Sequence, residues 1–425
     1  MENRFIGIFG IFAILFLAYL LSNNKKNIDK KLVIWGISLQ IFFALLILKI
    51  PYGKKLFDYI DIFIKKILSF SVEGSKFLFG NLGNEQFFGP WVPGFPNIET
   101  WPGFGFQFAF LVLPTVIFFS SIMSVLYYFG VMQHIIKIIS KIMQKTMGTS
   151  GAETMSISAN IFVGQTEAPL VIRPFIKKMT NSELTAIMTG GFSTVAGGVM
   201  AAYVLMLSNV IPGIAGHLMA ASIMSAPAAL VIAKIIFPEV STPETSKGDI
   251  ELSSFSKEEN FLEAIGNGAT EGIKLALNIA AMLIAFLSII AMLNWFLSLV
   301  TINETSLSIE LILGYLFMPL AFLMGAPWNE ANILGSLMGQ KLVLTEFIAY
   351  SNLAAASTEI STKTATIGAY ALCGFANFAS IGIQLGGIGS IAPERKKDLA
   401  KLVTKAMLGG ALASWLTATI AGIII

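Results

Sequence analysis

Ser158-Ala159-Asn160-Ile161-Phe162-Val163-Gly164-Gln165-Thr166-Glu167-Ala168-Pro169 lies at the centre of residues 150–178, a stretch of membrane-like length that is polar in its middle. Gly164 and Pro169 interrupt a helix there, because proline removes a backbone donor and clashes with the preceding turn. Lys145 before the stretch and Lys177 after it fall on the same inferred side, so the chain must enter and return. The pattern predicts a re-entrant helical hairpin with its tip at 164–167. Broken backbone at membrane depth is tolerated only where it lines a cavity. Residues 330–360 repeat the design: 333–344 are apolar, Thr345-Glu346 is a polar tip, and 347–356 return. A lipid-facing carboxylate at Glu346 would cost about 2.5–3.5 kcal/mol.

The composition agrees with a membrane setting. Of 425 residues, 55% are hydrophobic and only 12% charged, against about 25% charged in soluble domains. A net charge of +3 is too small to suggest a nucleic-acid partner. The single Cys373 excludes an intrachain disulfide and a Cys-rich metal site, and His134 and His217 stand apart. Neither His-Glu-x-x-His nor Gly-x-Ser-x-Gly occurs, so no enzyme is expected.

Apolar runs of roughly 20 residues can cross the bilayer. Eight are expected, at 5–21, 32–50, 106–129, 184–207, 211–237, 275–300, 367–385 and 402–425. Basic loops stay cytoplasmic. Eight spans put Lys25, Lys26, Lys30 and Lys31, then Lys137, Lys141 and Lys145, then Lys177 and Lys178, then Arg395, Lys396 and Lys397 on one side, with both chain ends outside. Segment 80–103, with Trp91 and Trp101, falls outside; so does 54–79, despite its lysines. Segments 56–72, 131–147 and 258–272 are amphipathic and read as helices in the membrane interface, with packed cytoplasmic helices as the alternative. In 56–72, Asp61 lies off the apolar face. In 258–272, Glu258, Glu259, Glu263 and Glu271 flank Phe261, Leu262 and Ile265.

The fold expected is therefore an all-α polytopic membrane protein with two opposed hairpins. Residues 1–104 form an N-terminal scaffold; 105–237 form a first repeat holding hairpin 150–178. A solvated cytoplasmic linker, 238–257, leads to a second repeat, 258–425, holding hairpin 330–360. The two repeats face opposite ways, and inverted repeats with broken helices meeting at the midplane mark secondary transporters. Gly190-Gly191 and Gly197-Gly198 in span four, and Gly374 in span seven, serve either close helix packing or a break. Asn377 and Ser380 in an otherwise apolar span point to a site.

Gly164-Gln165-Thr166-Glu167-Ala168-Pro169, Ile172-Arg173-Pro174, Gly339-Gln340-Lys341-Leu342-Val343-Leu344-Thr345-Glu346-Phe347, Cys373-Gly374-Phe375-Ala376-Asn377-Phe378-Ala379-Ser380 and Gly386-Gly387-Ile388-Gly389-Ser390 follow one another over nearly the whole chain. In this order and spacing the chain resembles the concentrative nucleoside transporter family, of the bacterial, sodium-coupled type. The resemblance implies an inner-membrane homotrimer in which a transport domain in each protomer moves against a scaffold. It implies that Gln165, Thr166 and Glu167 face the base, that Val199 and Phe375 pack near it, and that Glu346, Asn377 and Ser380 hold the ribose hydroxyls. A carboxylate suits a vicinal diol because charge-assisted bonds are the stronger kind.

For a coupling Na⁺, the resemblance implies side-chain oxygens from Asn160 and Thr194 and backbone carbonyls from Val163 and Val195. Asn160 taken alone could equally be a cap or a helix contact. The alternatives are proton coupling, transport of free nucleobases and, outside the class, an ion channel. Glu346 has no Lys or Arg within a helical turn, so its donors are expected from substrate or water.

Overall fold

The computed structural model describes residues 2–83, 107–246, 258–302 and 305–425. The tryptophan-bearing part of segment 80–103 and residues 247–257 of the linker lie outside the described residues. Among the described residues, eighteen α-helices run in the order α1 (Glu2–Leu20), α2 (Lys30–Leu48), α3 (Pro51–Phe79), α4 (Phe108–Leu111), α5 (Leu113–Tyr128), α6 (Val131–Met147), α7 (Gly151–Asn160), α8 (Arg173–Ile176), α9 (Asn181–Ser193), α10 (Gly197–Leu207), α11 (Ile214–Ile236), α12 (Phe261–Ser298), α13 (Ile309–Leu323), α14 (Trp328–Val343), α15 (Glu346–Ala355), α16 (Thr362–Leu372), α17 (Phe378–Ile391) and α18 (Lys396–Ile424). A two-stranded hairpin, Thr301–Ile302 with Thr305–Ser306, follows α12.

Sequence chemistry sets many of these boundaries. Ser150 and Glu153 form a capping box at the start of α7, and Thr180 and Glu183 do the same for α9. Asn260 opens α12 by accepting from the Glu263 amide, and Pro51 stands at the start of α3.

Among the described residues, six stretches are long and apolar enough to cross a membrane, or seven if the bent pair α13–α14 counts as one. The first expected span, Phe5–Leu20, and α17 are apolar but shorter. Burial separates two layers. The membrane-length windows of α9–α10, α11 and α18 are 83%, 89% and 89% buried, whereas those of α2, α4–α5 and α12 are 28%, 22% and 17% buried. The first set forms a core, and the second presents apolar side chains outward as a lipid-facing or partner-facing layer. Within the core α18 closes on α9 at Gly410, where a side chain would collide with Phe192.

Contacts define the two ends of the molecule. At one end Lys405 donates to the Leu21 carbonyl (3.0 Å), Asn23 N–H to Ile236 (3.0 Å), Gly151 N–H to Thr245 (3.0 Å) and Arg395 to Met179 (2.6 Å). The lysine-rich loops therefore gather there. At the other end Ala215 N–H donates to Asp61 (2.9 Å), Ser75 to Phe110 (2.5 Å) and Ser361 to Glu330 (2.8 Å). Helix α3 lies at this second end, where the span count puts it. Hairpin 150–178 enters from the basic end and hairpin 330–360 from the opposite one.

Four expectations change. Segment 258–272 is not a separate interfacial helix: it is the first part of α12, a continuous helix of 38 residues. Asp61 is buried on α3, where it receives the Ala215 amide at the start of α11. The return arm of the first hairpin is not an ordinary helix. It is a 3-10 stretch, Ala168–Ile172, followed by the single turn of α8, because Pro169 and Pro174 each remove a backbone donor. Glu346 receives its donors from the protein, as described next.

Candidate functional site

The break between α14 and α15 puts Glu346 at the first position of a helix, with Thr345 as its cap. The Glu346 side chain is buried. Tyr203 Oη on α10 donates to its Oε1 (3.0 Å), and Asn377 Nδ2 donates to its Oε2 (2.8 Å). Asn377 in turn caps α17, its Oδ1 accepting from the Ser380 amide at 2.8 Å. One asparagine thus ends the break in span seven and orients the carboxylate. Tyr203 is held by stacking on Tyr350 with ring centroids 4.2 Å apart, and by the edge of Phe347. Gly374 makes this break possible. Its φ of 139° disfavours any side chain, and an added Cβ would strike the Phe192 carbonyl. The breaks in spans four and seven therefore touch back to back.

At the other tip, Gln165 is buried and accepts a hydrogen bond from Gln384 Nε2 at 3.0 Å. Gln384 also donates to the Met188 carbonyl (3.0 Å), tying hairpin one, α9 and α17 together. Thr166 and Glu167 follow, with the hydroxyl 3.4 Å from the carboxylate, and Glu167 is exposed to the cavity. Val199 comes from α10 and Phe375 from the span-seven break.

All eight residues expected at a substrate site, Gln165, Thr166, Glu167, Val199, Glu346, Phe375, Asn377 and Ser380, line one cavity of about 400 Å³. That lies within the usual range for a small organic ligand, about 300–1,000 Å³. Its polar groups come mostly from the two hairpin tips and the span-seven break, the span-four break adds Ala196 and Val199, and its other wall is α12. Sequence reasoning missed that wall: Glu271, Lys274 and Asn278 face the cavity, and Lys274 pairs with Glu271 at 2.8 Å. Polar residues inside an apolar span were the signal that could have found Lys274 and Asn278. Gln384, in the apolar run of α17, carried the same signal.

The residues expected around a cation gather on the far side of hairpin one. Asn160 ends α7, wholly buried, and neither its Oδ1 nor its Nδ2 has a hydrogen-bond partner among the described residues. Leaving such a group unpaired costs about 1–3 kcal/mol. Thr194 sits at the break between α9 and α10, in extended backbone, with its hydroxyl 3.3 Å from the Gly190 carbonyl. Val195 is buried beside it, and Val163 lies in the turn after α7. The Gly197 amide donates to the Phe162 carbonyl (3.0 Å), which fastens the turn of hairpin one to the break in span four. An orphaned carboxamide beside two helix breaks is an uncharged, oxygen-rich surrounding suited to a weakly held monovalent cation. No group of three or more His, Cys, Asp or Glu side chains among the described residues could hold a metal ion.

Three family models cover most of the chain. "Na+ dependent nucleoside transporter N-terminus" matches residues 9–82, "Nucleoside recognition" (Gate) 109–210, and "Na+ dependent nucleoside transporter C-terminus" 217–422. The chain is 42% identical to the nucleoside permease NupC of Helicobacter pylori over 422 residues, covering 97% of this chain and 96% of that one. It is 38% identical to the sodium/nucleoside cotransporter 2 of Rattus norvegicus, covering 99% of this chain and 63% of that one. The solved structure of CNTnw in an inward-facing, substrate-bound state superposes with a TM-score of 0.88 at 41% identity, covering 99% of this chain and 98% of that one. The fold and site define a membrane transporter with opposed hairpins, not an enzyme. The chain belongs to the concentrative nucleoside transporter family.

Proposed function

We propose that this protein is a symporter that imports uridine-like nucleosides down a sodium gradient. The observation that carries this reading is the convergence of two hairpin tips and two helix breaks on one cavity with a buried, pre-oriented carboxylate. Gln165, Thr166 and Glu167 meet the base edge, where amide and hydroxyl groups both donate and accept. Val199 and Phe375 pack against the ring. Glu346, Asn377 and Ser380 hold the ribose, and a site built to bond a hydroxyl rejects the analogue lacking it. Asn160, Thr194 and the carbonyls of Val163 and Val195 hold the sodium ion.

Repeats 105–237 and 258–425 supply a core of hairpins and broken spans that shifts as a unit. It moves against a scaffold of 1–104 and the outward-facing part of α12. The apolar exposure of α12 supports a homotrimer packed through the scaffold, in a bacterial inner membrane with both termini outside. The energetics suffice. One charge crossing roughly 100 mV releases about 2.3 kcal/mol, and a tenfold sodium gradient adds about 1.4 kcal/mol. With one ion per nucleoside these support accumulation of about 400–500-fold. The test is uptake of radiolabelled uridine into proteoliposomes with and without an inward sodium gradient. Uptake that ignores sodium but collapses with a pH gradient points to proton coupling. Uptake of uracil but not uridine removes the ribose role of Glu346, Asn377 and Ser380.

A further inference from the structure

Lys341, in the last turn of α14, is wholly buried in the core of a membrane protein. A lysine there keeps its charge only if opposite charge and acceptors surround it. Its Nζ donates to the Ala371 carbonyl at 2.9 Å and to Ser414 Oγ at 2.6 Å. Ala371 belongs to the last turn of α16, where carbonyls lack helical partners and a cation is favoured. Ser414 lies on α18. Glu346 follows five residues later, just past the break on the same hairpin. Three elements therefore meet at one ammonium group: the hairpin that carries Glu346, the broken span that carries Phe375 and Asn377, and the helix that backs both.

We infer that Lys341 is a positioning residue of the nucleoside site. Its Nζ, bonded to the end of α16 and to α18, holds the hairpin-two tip in register with the span-seven break and so keeps the buried Glu346 carboxylate in place. It touches neither cavity nor substrate: Lys341 is absent from the cavity lining, while Glu346 and Asn377 are in it. The bond from Asn377 to Glu346 spans the two elements that Lys341 ties together, so its geometry depends on that tie. This inference rests on the ribose role proposed for Glu346.

The test is equilibrium binding of uridine, 2′-deoxyuridine and 3′-deoxyuridine to the purified full-length protein. The variants are Lys341→Gln, Lys341→Arg, Glu346→Gln and the double variant Lys341→Gln with Glu346→Gln. Lys341→Gln should weaken uridine about tenfold and lower discrimination against the deoxy analogues to about twofold, because the carboxylate loses its fixed place. Lys341→Arg keeps charge and donors and should restore most of both.

Where Lys341→Gln lowers the yield of folded protein, Lys341→Arg carries the test, and a folded Lys341→Arg that loses discrimination overturns the inference. A double variant that binds uridine much more weakly than Glu346→Gln also overturns it, because Lys341 then acts apart from Glu346. So does a folded Lys341→Gln that binds uridine like the parent, or one that loses affinity equally for all three nucleosides while keeping its discrimination. If Glu346→Gln itself keeps full discrimination, the ribose reading falls and this inference with it. If only Lys341→Gln keeps it, the ribose reading stands and this inference alone falls.

Discussion

The two hairpins do the same topological job with opposite chemistry. Hairpin two is helix, break, helix: 16 residues in α14 and 10 in α15. Its carboxylate is buried and already bonded to Tyr203 and Asn377, its arms are tied by Asn352 to Gln340 at 2.6 Å, and a lysine is locked behind it. Hairpin one has a regular entering helix of 10 residues and an irregular return. Its Asn160 is buried with no partner, and its Glu167 faces the cavity. One tip is pre-organised by the protein. The other keeps unsatisfied groups that a ligand can complete. A satisfied polar network fixes geometry, whereas an orphaned buried group favours whatever can pair with it.

This contrast predicts unequal responses to substitution. The largest effect falls on hairpin two. Glu346→Gln should weaken uridine binding at least tenfold, since a charge-assisted bond contributes about 1.5–3 kcal/mol. It should also discriminate less against the deoxyuridine that lacks the partner hydroxyl. A folded variant with unchanged affinity and discrimination would make Glu346 a structural carboxylate and erase the distinction drawn here. Next comes the orphan of hairpin one. Asn160→Ala should raise the sodium concentration for half-maximal uptake about fivefold, with less effect at saturating sodium, and Thr194→Ala should act in the same direction.

The thermal signature of that site is sharper. Sodium at ten times its dissociation constant should stabilise the parent by about 1.4 kcal/mol. Asn160→Ala should show little of this gain, and in sodium-free buffer it should melt no lower than the parent, because it removes an unpaired buried group. A parent whose melting temperature ignores sodium while responding to uridine would remove the cation from hairpin one.

Smaller effects should follow where contacts are neutral or lack buried partners. Gln384→Leu removes the donor shared by Gln165 and Met188, and uridine binding should weaken about threefold, the scale of one neutral hydrogen bond. Glu167→Gln should change affinity less than Glu346→Gln does while shifting preference among bases, since its carboxylate faces the cavity without the buried partners that fix Glu346. Competition among nucleosides with different base edges measures that shift, and an effect rivalling that of Glu346→Gln would mean the tips are equivalent after all.

The sequence shows backbone devices better than it shows partners. Gly164, Pro169 and the Thr345-Glu346 step mark breaks because glycine, proline and a charge inside an apolar run act locally. The lysines likewise report sidedness loop by loop. Long-range pairing is silent in one chain: nothing near Glu346 announces Tyr203, and nothing in α12 says that its acidic first turns continue unbroken into the membrane. Periodicity sees an amphipathic segment and then an apolar span there but not the absence of a joint, so Glu271 is read as interfacial when it faces the cavity. Asp61 looks polar-side by spacing, and is buried where the start of α11 offers one oxygen an amide while Lys65 pairs with the other at 2.9 Å.

The seat of Gly410 on Phe192 bears on direction of flow. That contact clamps α18 to α9, and the adjoining breaks at Thr194 and Gly374 are pressed together behind the cavity. In the carrier proposed above, walls that keep their spacing as the core travels give the cleft the same dissociation constant toward either bath. Such a machine contains no rectifier. The sign of net flux is set by the gradients alone, and a cell whose sodium gradient runs down would release its nucleosides through the door that admitted them.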